Sequence, residues 1–355
     1  MAGTGSVVWV LALLPFVACN LVIYPSASGA PKSNKFQVFL TQNGNRHESH
    51  VYISTSDRRS HEASHVKPGR SMSWTSFAFS GAKVTVEVHA PQDFHNCIVA
   101  KFDVPSNTKM MSVEFDYDYG TSGHHDITDK LMVFADPPET HKPNKNDNHV
   151  LYYDVGVHNL NGQKDIGAKT EVYLAPGAFV KGGFKTSQNH AMDKGSHHTI
   201  EGVTISESMG FFFRALSDSC TVRNIKTVGA WINNNDGIAT GDNGVVQDCF
   251  IHANDDAIKI YSDGMHVSRC VVWQGLNGAV FQTGWYSGRD MQHVQVTDVD
   301  VIHTDWCTFK GNDCSTSQNN AVFDQAGDTS SFHVSDIEFR NIRVEGNCPR
   351  VIFWK

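Results

Sequence analysis

Three aspartates occupy equivalent places in two short, similar runs, Asn233-Asn234-Asn235-Asp236-Gly237-Ile238 and Asn254-Asp255-Asp256-Ala257-Ile258-Lys259. Carboxylates gathered on a rigid surface shift one another's proton affinity, and a proton donor beside an ionised acceptor is what general acid–base chemistry requires. Asp236, Asp255 and Asp256 are therefore the candidate catalytic residues, provided that the chain folds the two runs side by side.

A repeat supplies that arrangement. Six hexapeptides match in the second half: Ile200 to Ile205, Val222 to Thr227, Val246 to Ile251, Val267 to Val272, Val296 to Val301 and Phe339 to Val344. Positions one and four are apolar or Cys throughout, and position six is apolar except at Thr227. Apolar residues two apart mark a strand with one buried face. Short strands recurring at this period, with Gly, Asn and Asp between them, predict a right-handed parallel β-helix in which each coil stacks on the previous one.

A second strand in each coil then aligns the carboxylates. Gly237-Ile238-Ala239, Ala257-Ile258-Lys259, Ala279-Val280-Phe281 and Ala321-Val322-Phe323 fall into one register, which puts Asp236, Asp256, Gly278 and Asn320 in one column and Asn235, Asp255, Asn277 and Asn319 in the next. Coils stack at about 4.8 Å, so Asp236 and Asp256 become neighbours and repel unless a proton or a cation compensates. Lys259, three residues after Asp256, either steadies a carboxylate, contacts substrate or is a solvated surface lysine. The Asn-rich runs suit internal amide ladders, and Asp242, Asp263 and Asp290 read as turn formers.

The runs Asn234 to Ile238, Asp248 to Tyr261 and Val271 to Trp285, with an upstream run from Val172 to Gly182, resemble glycoside hydrolase family 49, the dextranases and isopullulanases. The similarity spans about residues 150 to 345. The paired aspartate words are shared with polygalacturonases, but the Gly-His-Gly and Arg-x-Lys words of that family have no counterpart here. The resemblance implies a neutral α-glucan as substrate, of dextran-like α-1,6 or pullulan-like α-1,4 linkage, cleaved with inversion. Carried over to this chain, it makes Asp255 the general acid and Asp236 with Asp256 the holders of the attacking water, although the residues alone allow the roles to be permuted. Lys259, Gln282, Trp285 and Tyr286 are the candidate substrate-binding residues, and Trp273 reads equally as packing. The family's helix continues for several more coils, so the last coil here is expected to need a cap. The alternatives are a polygalacturonase-like pectin hydrolase, a non-catalytic carbohydrate-binding β-helix, and a calcium-dependent lyase with Arg269 or Arg289 as base.

A chain of 355 residues is expected to form two domains. Alternating strand patterns at Phe36 to Leu40, Ser73 to Phe79, Ala82 to His89, Met111 to Tyr117 and Lys130 to Phe134 predict an N-terminal antiparallel β-sandwich over residues 35–145. Pro137 to His149 is the linker, and residues 150–355 form the β-helix catalytic domain. Val7 to Cys19 has the length of a signal-peptide core, which assigns residues 1–30 to a leader, with cleavage after Cys19, Ala27 or Ala30 left open, and makes the protein secreted. Of the eight cysteines, Cys307 and Cys314 flank a polar insertion that a disulfide could close, while Cys249 and Cys270 read as a buried ladder or a pair. A formal charge of −8 argues against nucleic acid and against an acidic polymer in a basic groove. No cofactor, metal or membrane partner is expected, and the chain reads as a monomer whose partner is its polysaccharide substrate.

Overall fold

The computed structural model describes residues 20–59, 69–90, 99–114, 127–167, 170–186, 197–202, 204–284, 290–306, 320–326, 333–345 and 348–354. Among these residues the only helix is the single turn Ser56–Arg59, and no helix is long and apolar enough to cross a membrane. Everything else that is regular is strand.

The N-terminal portion is two packed sheets. The smaller is antiparallel, in the order Asn45–Ser49, Gln37–Gln42, Lys83–His89, Val99–Pro105, and its inward alternation puts Val38, Leu40, Val84, Val86 and Val88 at zero exposure. The larger sheet contains Leu21–Ile23, Tyr52–Thr55, Ser71–Phe79, Asp129–Asp136 and Met110–Val113. Its central pair departs from the antiparallel expectation, because Ser71–Phe79 and Asp129–Asp136 run parallel. Parallel neighbours need a long crossover, and the intervening chain provides it by passing through the smaller sheet before returning. Leu21–Ile23, Asn45–Ser49 and Tyr52–Thr55 lack strong alternation of apolar residues, which is why the sequence did not announce them.

From residue 150 onward the described residues form a β-helix: nineteen strands among them, from Val150–Tyr153 to Ile352–Trp354, pair in parallel along it. Three faces run the length of the helix. The first stacks Glu171–Leu174, Thr199–Gly202, Thr221–Arg223 and Val245–Gln247. The second stacks Thr204–Ser206, Lys226–Val228 and Phe250–Ala253, and the third stacks Phe213–Ala215, Ile238–Thr240, Ile258–Lys259, Phe281–Gly284 and Phe323–Ala326.

The hexapeptide proves to encode a corner rather than one straight strand. Position three is left-handed in successive coils, at Asn224 (φ 53°), Asp248 (φ 55°), Arg269 (φ 53°), Asp298 (φ 56°) and Asn341 (φ 55°). Asn and Asp tolerate that conformation, whereas for arginine it costs roughly 1–2 kcal/mol. Arg269 offsets part of the cost with a two-pronged contact, Nε and Nη2 donating to Asp248 at 3.0 and 2.9 Å. The bend lets positions one, four and six all face inward, as Val222, Ile225 and Thr227 do, all with zero exposure. Position five then faces out, and on the second face it meets the sandwich. Phe250, at that position, packs with Trp74, Phe134, Phe179 and Trp273 in an apolar layer between the two portions. Lys226, also at position five, is fully buried against the Asp136 carboxylate, which also accepts from Tyr24 at 3.0 Å. Trp273 is thus packing, its ring stacked on His303 at 4.1 Å.

Cys249 and Cys270 lie in one inward column and both are free, as are Cys220 and Cys348. Their thiols donate to backbone carbonyls, Cys249 to Gln247 at 3.2 Å and Cys270 to Ser268 at 3.4 Å, and burial pushes the Cys220 thiol up to about 12. Buried protonated thiols are inert. Alkylation of the folded protein is therefore expected to spare Cys220, Cys249 and Cys270, and peptide mapping after non-reducing unfolding to find all three modified; a Cys249–Cys270 crosslinked peptide would contradict the ladder. Cys307 and Cys314 lie outside the described residues.

Candidate active site

The third face carries the site. Ile238 pairs with Ile258 and Ala239 with Lys259, so the two aspartate runs stack one coil apart as expected. Each run turns the corner on a buried asparagine. Asn235 accepts from Ile232 N through Oδ1 and donates Nδ2 to Ser208 O at 2.7 Å, while Asn254 donates Nδ2 to Trp231 O at 3.2 Å and accepts from Leu276 N. Trp231 is itself tied to the sandwich, Nε1 donating to Ser54 Oγ at 2.8 Å. The N-terminal sheets therefore brace the corner from which the carboxylates emerge. Gly237 has no substitute, because a Cβ there would lie 2.2 Å from the Ala257 carbonyl oxygen.

Asp236, Asp255 and Asp256 each place a carboxylate oxygen within 4.8 Å of the others. Lys259 resolves the three readings open to it. Only 5% exposed, it is no solvated lysine: its ammonium bridges Asp236 Oδ2, at 2.7 Å, and Asp256 Oδ2. Burial alone would favour a neutral amine, but Asp256 and Asp236 outweigh it and hold the proton well above the usual lysine range. The same three carboxylates are close enough together to hold a metal ion, and the Lys259 ammonium already stands between two of them.

The three acids are not equivalent. Asp256 accepts from Ala279 N at 2.8 Å as well as from Lys259. Asp236 is pushed up to about 6, mainly by burial, with Lys259 opposing and Asp256 adding to the rise. Asp255 is the most exposed of the trio, yet its carboxyl is pushed furthest, to about 9, by burial and then by the charges of Asp256 and Asp236. It is held by Asp256 N at 2.9 Å and Asn277 Nδ2 at 3.1 Å and is not bridged by the lysine. One acid that holds its proton tightly beside a cation-bridged pair of carboxylates is a set that can donate a proton and hold a water.

Beyond Asp256 the expected columns slip by one residue. Phe281, not Val280, pairs with Ile258, and Gln282 pairs with Lys259. The corner there takes one more residue, with Gly278 in a left-handed conformation (φ 74°) pressed so close to the Asp255–Asp256 peptide that a Cβ would lie 2.3 Å from it. Asp256 is thus neighboured by Ala279 rather than by Gly278. Asn277 is a brace, donating to Asn233 O and Asp255, and Asn320 donates to Leu276 O at 3.4 Å. Gln282 comes to the site but is fully buried, and it accepts from Tyr261 OH at 2.8 Å. Trp285, Tyr286, Asn319 and Arg289 lie outside the described residues. Arg269 is engaged with Asp248 at the opposite corner.

Asp242 and Asp263 are turn formers as expected, each capping the next coil through Asp263 N and Gln292 N at 2.9 Å, and Asp290 does the same for His333 N at 2.6 Å. Two side chains at the site went unread in the sequence. Tyr261 lies 5.6 Å from the Lys259 ammonium, measured to its ring, and the half-buried Phe211 ring lies 5.4 Å from it. Tyr261 shares Lys259's strand face, which alternation two residues on could have indicated. Phe211 arrives from the preceding coil, with no local signal beyond the Phe211-Phe212-Phe213 run.

No protein-family model matches the chain. It is 26% identical over 276 residues to a dextranase of Arthrobacter globiformis, covering 61% of this chain and 43% of that one, and 24% identical over 318 residues to an isopullulanase of Aspergillus niger, covering 66% and 56%. The fold matches that of Dex49A from Penicillium minioluteum with a TM-score of 0.67 at 22% identity, over 94% of this chain and 82% of that one. The chain spans about half the length of the curated relatives it matches. Sequence words, β-helix and matches agree, and the chain is a relative of the dextranases and isopullulanase of glycoside hydrolase family 49.

Proposed function

We propose that the protein is a secreted, monomeric glycoside hydrolase that cleaves a neutral α-glucan with inversion. The observation that carries this reading is the lysine-bridged pair Asp236 and Asp256 beside the proton-holding Asp255. Asp255 donates its proton to the departing glycosidic oxygen. Asp236 and Asp256 hold the water, and one of them takes its proton as the oxygen bonds to the anomeric carbon. Lys259 keeps this pair ionised and anchored. The oxygens, within 4.8 Å of one another, lie closer together than the roughly 6.5–9.5 Å usual between the two acids of inverting enzymes, so inversion requires the anomeric carbon to sit between the departing oxygen at Asp255 and the water at Asp236 and Asp256. On the third face the residues following Lys259 in register are Gln282 and Asp324, while Arg214 stands two coils before it, against the Phe211 ring.

Purified protein is expected to release reducing ends from dextran or pullulan and none from polygalacturonate, with proton NMR showing the β-anomer of the new end first. An initial α-anomer would establish retention instead, and release from polygalacturonate would establish a pectin hydrolase.

Packing supports one site of leader removal. Leu21–Ile23 pairs with Ser71–Phe79, and Ala27 and Ala30 are buried, Ala27 at 1% exposure. Cleavage after Ala27 or Ala30 would strip an edge strand from the larger sheet, whereas cleavage after Cys19 leaves it in place. N-terminal sequencing of the secreted protein is expected to begin at Asn20, and a start at Ser28 or Pro31 would refute this.

A further inference from the structure

The outward column of the third face extends back from the acidic trio through residues that the proposed mechanism does not use. In register it runs Asp165, Lys185, Arg214, Ala239, Lys259. Arg214 thus stands two coils, about 10 Å along the helix, from Lys259. The Phe211 ring spans the interval, its centre 5.6 Å from the Arg214 guanidinium and 5.4 Å from the Lys259 ammonium. Ala239, the small residue between the two cations in the column, leaves room for the ring and is itself at zero exposure. Phe211 and Arg214 are each half-buried, so both keep surface open to solvent.

Arg214 brings donors that the fold does not use. Lys259 is held by Asp236 and Asp256, and Lys185 meets Asp165 at 3.7 Å. Among the described residues no carboxylate pairs with Arg214 and no acceptor takes its guanidinium N–H groups; its one contact is the Phe211 ring. A rigid fork of donors beside a flat apolar face matches a pyranose, whose adjacent hydroxyls accept from the fork while its C–H face packs on the ring. An acidic polymer would have to cross Asp236, Asp255 and Asp256 to reach this cation, on a chain of net charge −8, so a neutral sugar fits better.

We infer that Phe211 and Arg214 form a sugar-binding subsite on one side of the cleaved bond: Phe211 packs against the first glucose unit, and Arg214 donates to adjacent hydroxyls of the second. This rests on the glucan reading of the acidic trio. A glucose unit is about as long as one coil is high. A chain laid along the column with its cleaved bond at the trio therefore brings its second unit to Arg214. The subsite makes Arg214 a determinant of chain length, because a substrate with a single unit on that side cannot reach it.

The test is steady-state hydrolysis of two length series, isomaltose to isomaltohexaose and maltose to maltohexaose, with dextran and pullulan alongside. The parent is compared with full-length Arg214→Met, whose unbranched side chain still covers the Phe211 ring. On the longest substrates of the preferred series kcat/KM should fall about tenfold, chiefly through KM, the worth of a hydrogen bond to a charged donor. The loss should shrink towards the shortest chain that is cleaved. Arg214→Gln keeps a planar donor and should recover part of the loss, at low and high salt alike. An equal loss at every length would make Arg214 a brace for Phe211 and the Lys259 cluster, and no loss at any length would leave it without a substrate contact; either result overturns the subsite. So does a parent KM that climbs steeply with salt, which would mark an anionic ligand. A parent that releases no reducing ends from any of these substrates overturns the glucan reading and the subsite with it, whereas an active parent indifferent to Arg214 overturns the subsite alone.

Discussion

Replacing Asp255 with Asn is expected to lower the hydrolysis rate on the preferred glucan by about 10²–10⁴-fold, the usual contribution of a positioned proton donor. The pH profile should change with it. In the parent, activity should rise as Asp236 ionises through about 6 and fall as Asp255 loses its proton through about 9, with the two limbs belonging to the coupled set. In Asp255→Asn the alkaline limb should vanish while the acid limb remains. An aryl glycoside whose leaving group needs no proton should recover much of the lost rate. Initial rates from about pH 4 to about pH 10 on both kinds of substrate decide it: a surviving alkaline limb, or a loss no smaller on the aryl glycoside, would remove Asp255 from the donor role.

The same shifts have a consequence for stability, with a definite sign. Asp236 and Asp255 both hold protons more tightly in the folded protein than a free aspartate, whose pKa is about 3.9. The folded state therefore binds more protons than the unfolded one between those limits, and stability falls as pH rises from about 4 through 6 and on towards 9. Asp255→Asn should accordingly melt above the parent at about pH 8 and match it more nearly at about pH 4. A proposed proton donor that costs stability fits the general tension between function and folding at such sites.

Lys259→Met carries the second large effect. Removing one partner of a buried ionic cluster leaves charge without compensation, at a cost of about 3–5 kcal/mol. Here Asp236 and Asp256 would face each other with no cation between them, so the acid limb of any remaining activity should move above about 6. The destabilisation should be greater at about pH 8 than at about pH 5, where a proton can stand in for the ammonium. Urea unfolding at the two pH values measures it. A loss below about 1 kcal/mol at both, as for solvent-screened pairs, would show that the bridge does not hold the carboxylates together.

Much of this architecture was legible because it repeats. The hexapeptides announced the β-helix, since an apolar residue at the same place in every coil is needed to fill one continuous core. The words around Asp236 and Asp256 announced their stacking, since Ile238 and Ile258 fix a common register. The residues after Asp256 were misaligned because a corner, unlike a strand, tolerates an added residue: Gly278 absorbs it, and the column shifts from Val280 to Phe281. The straight-strand reading of the hexapeptide failed for a related reason. Left-handed φ at position three is a property of the backbone, and Arg269 conceals it from composition.

Sequence by itself determined the repeat, the identity of the acidic trio and the kinship with α-glucan hydrolases, because all three reside in residue types at fixed intervals. Tertiary structure alone decided which acid keeps its proton. That depends first on burial and then on where one ammonium reaches: Lys259 touches Asp236 and Asp256 and offsets only part of their repulsion of Asp255. It also decided that Lys226 and Trp273 lie beneath the sandwich, and that Phe211 and Arg214 share one face with Lys259. Those contacts join residues far apart in the chain, and no local pattern encodes them.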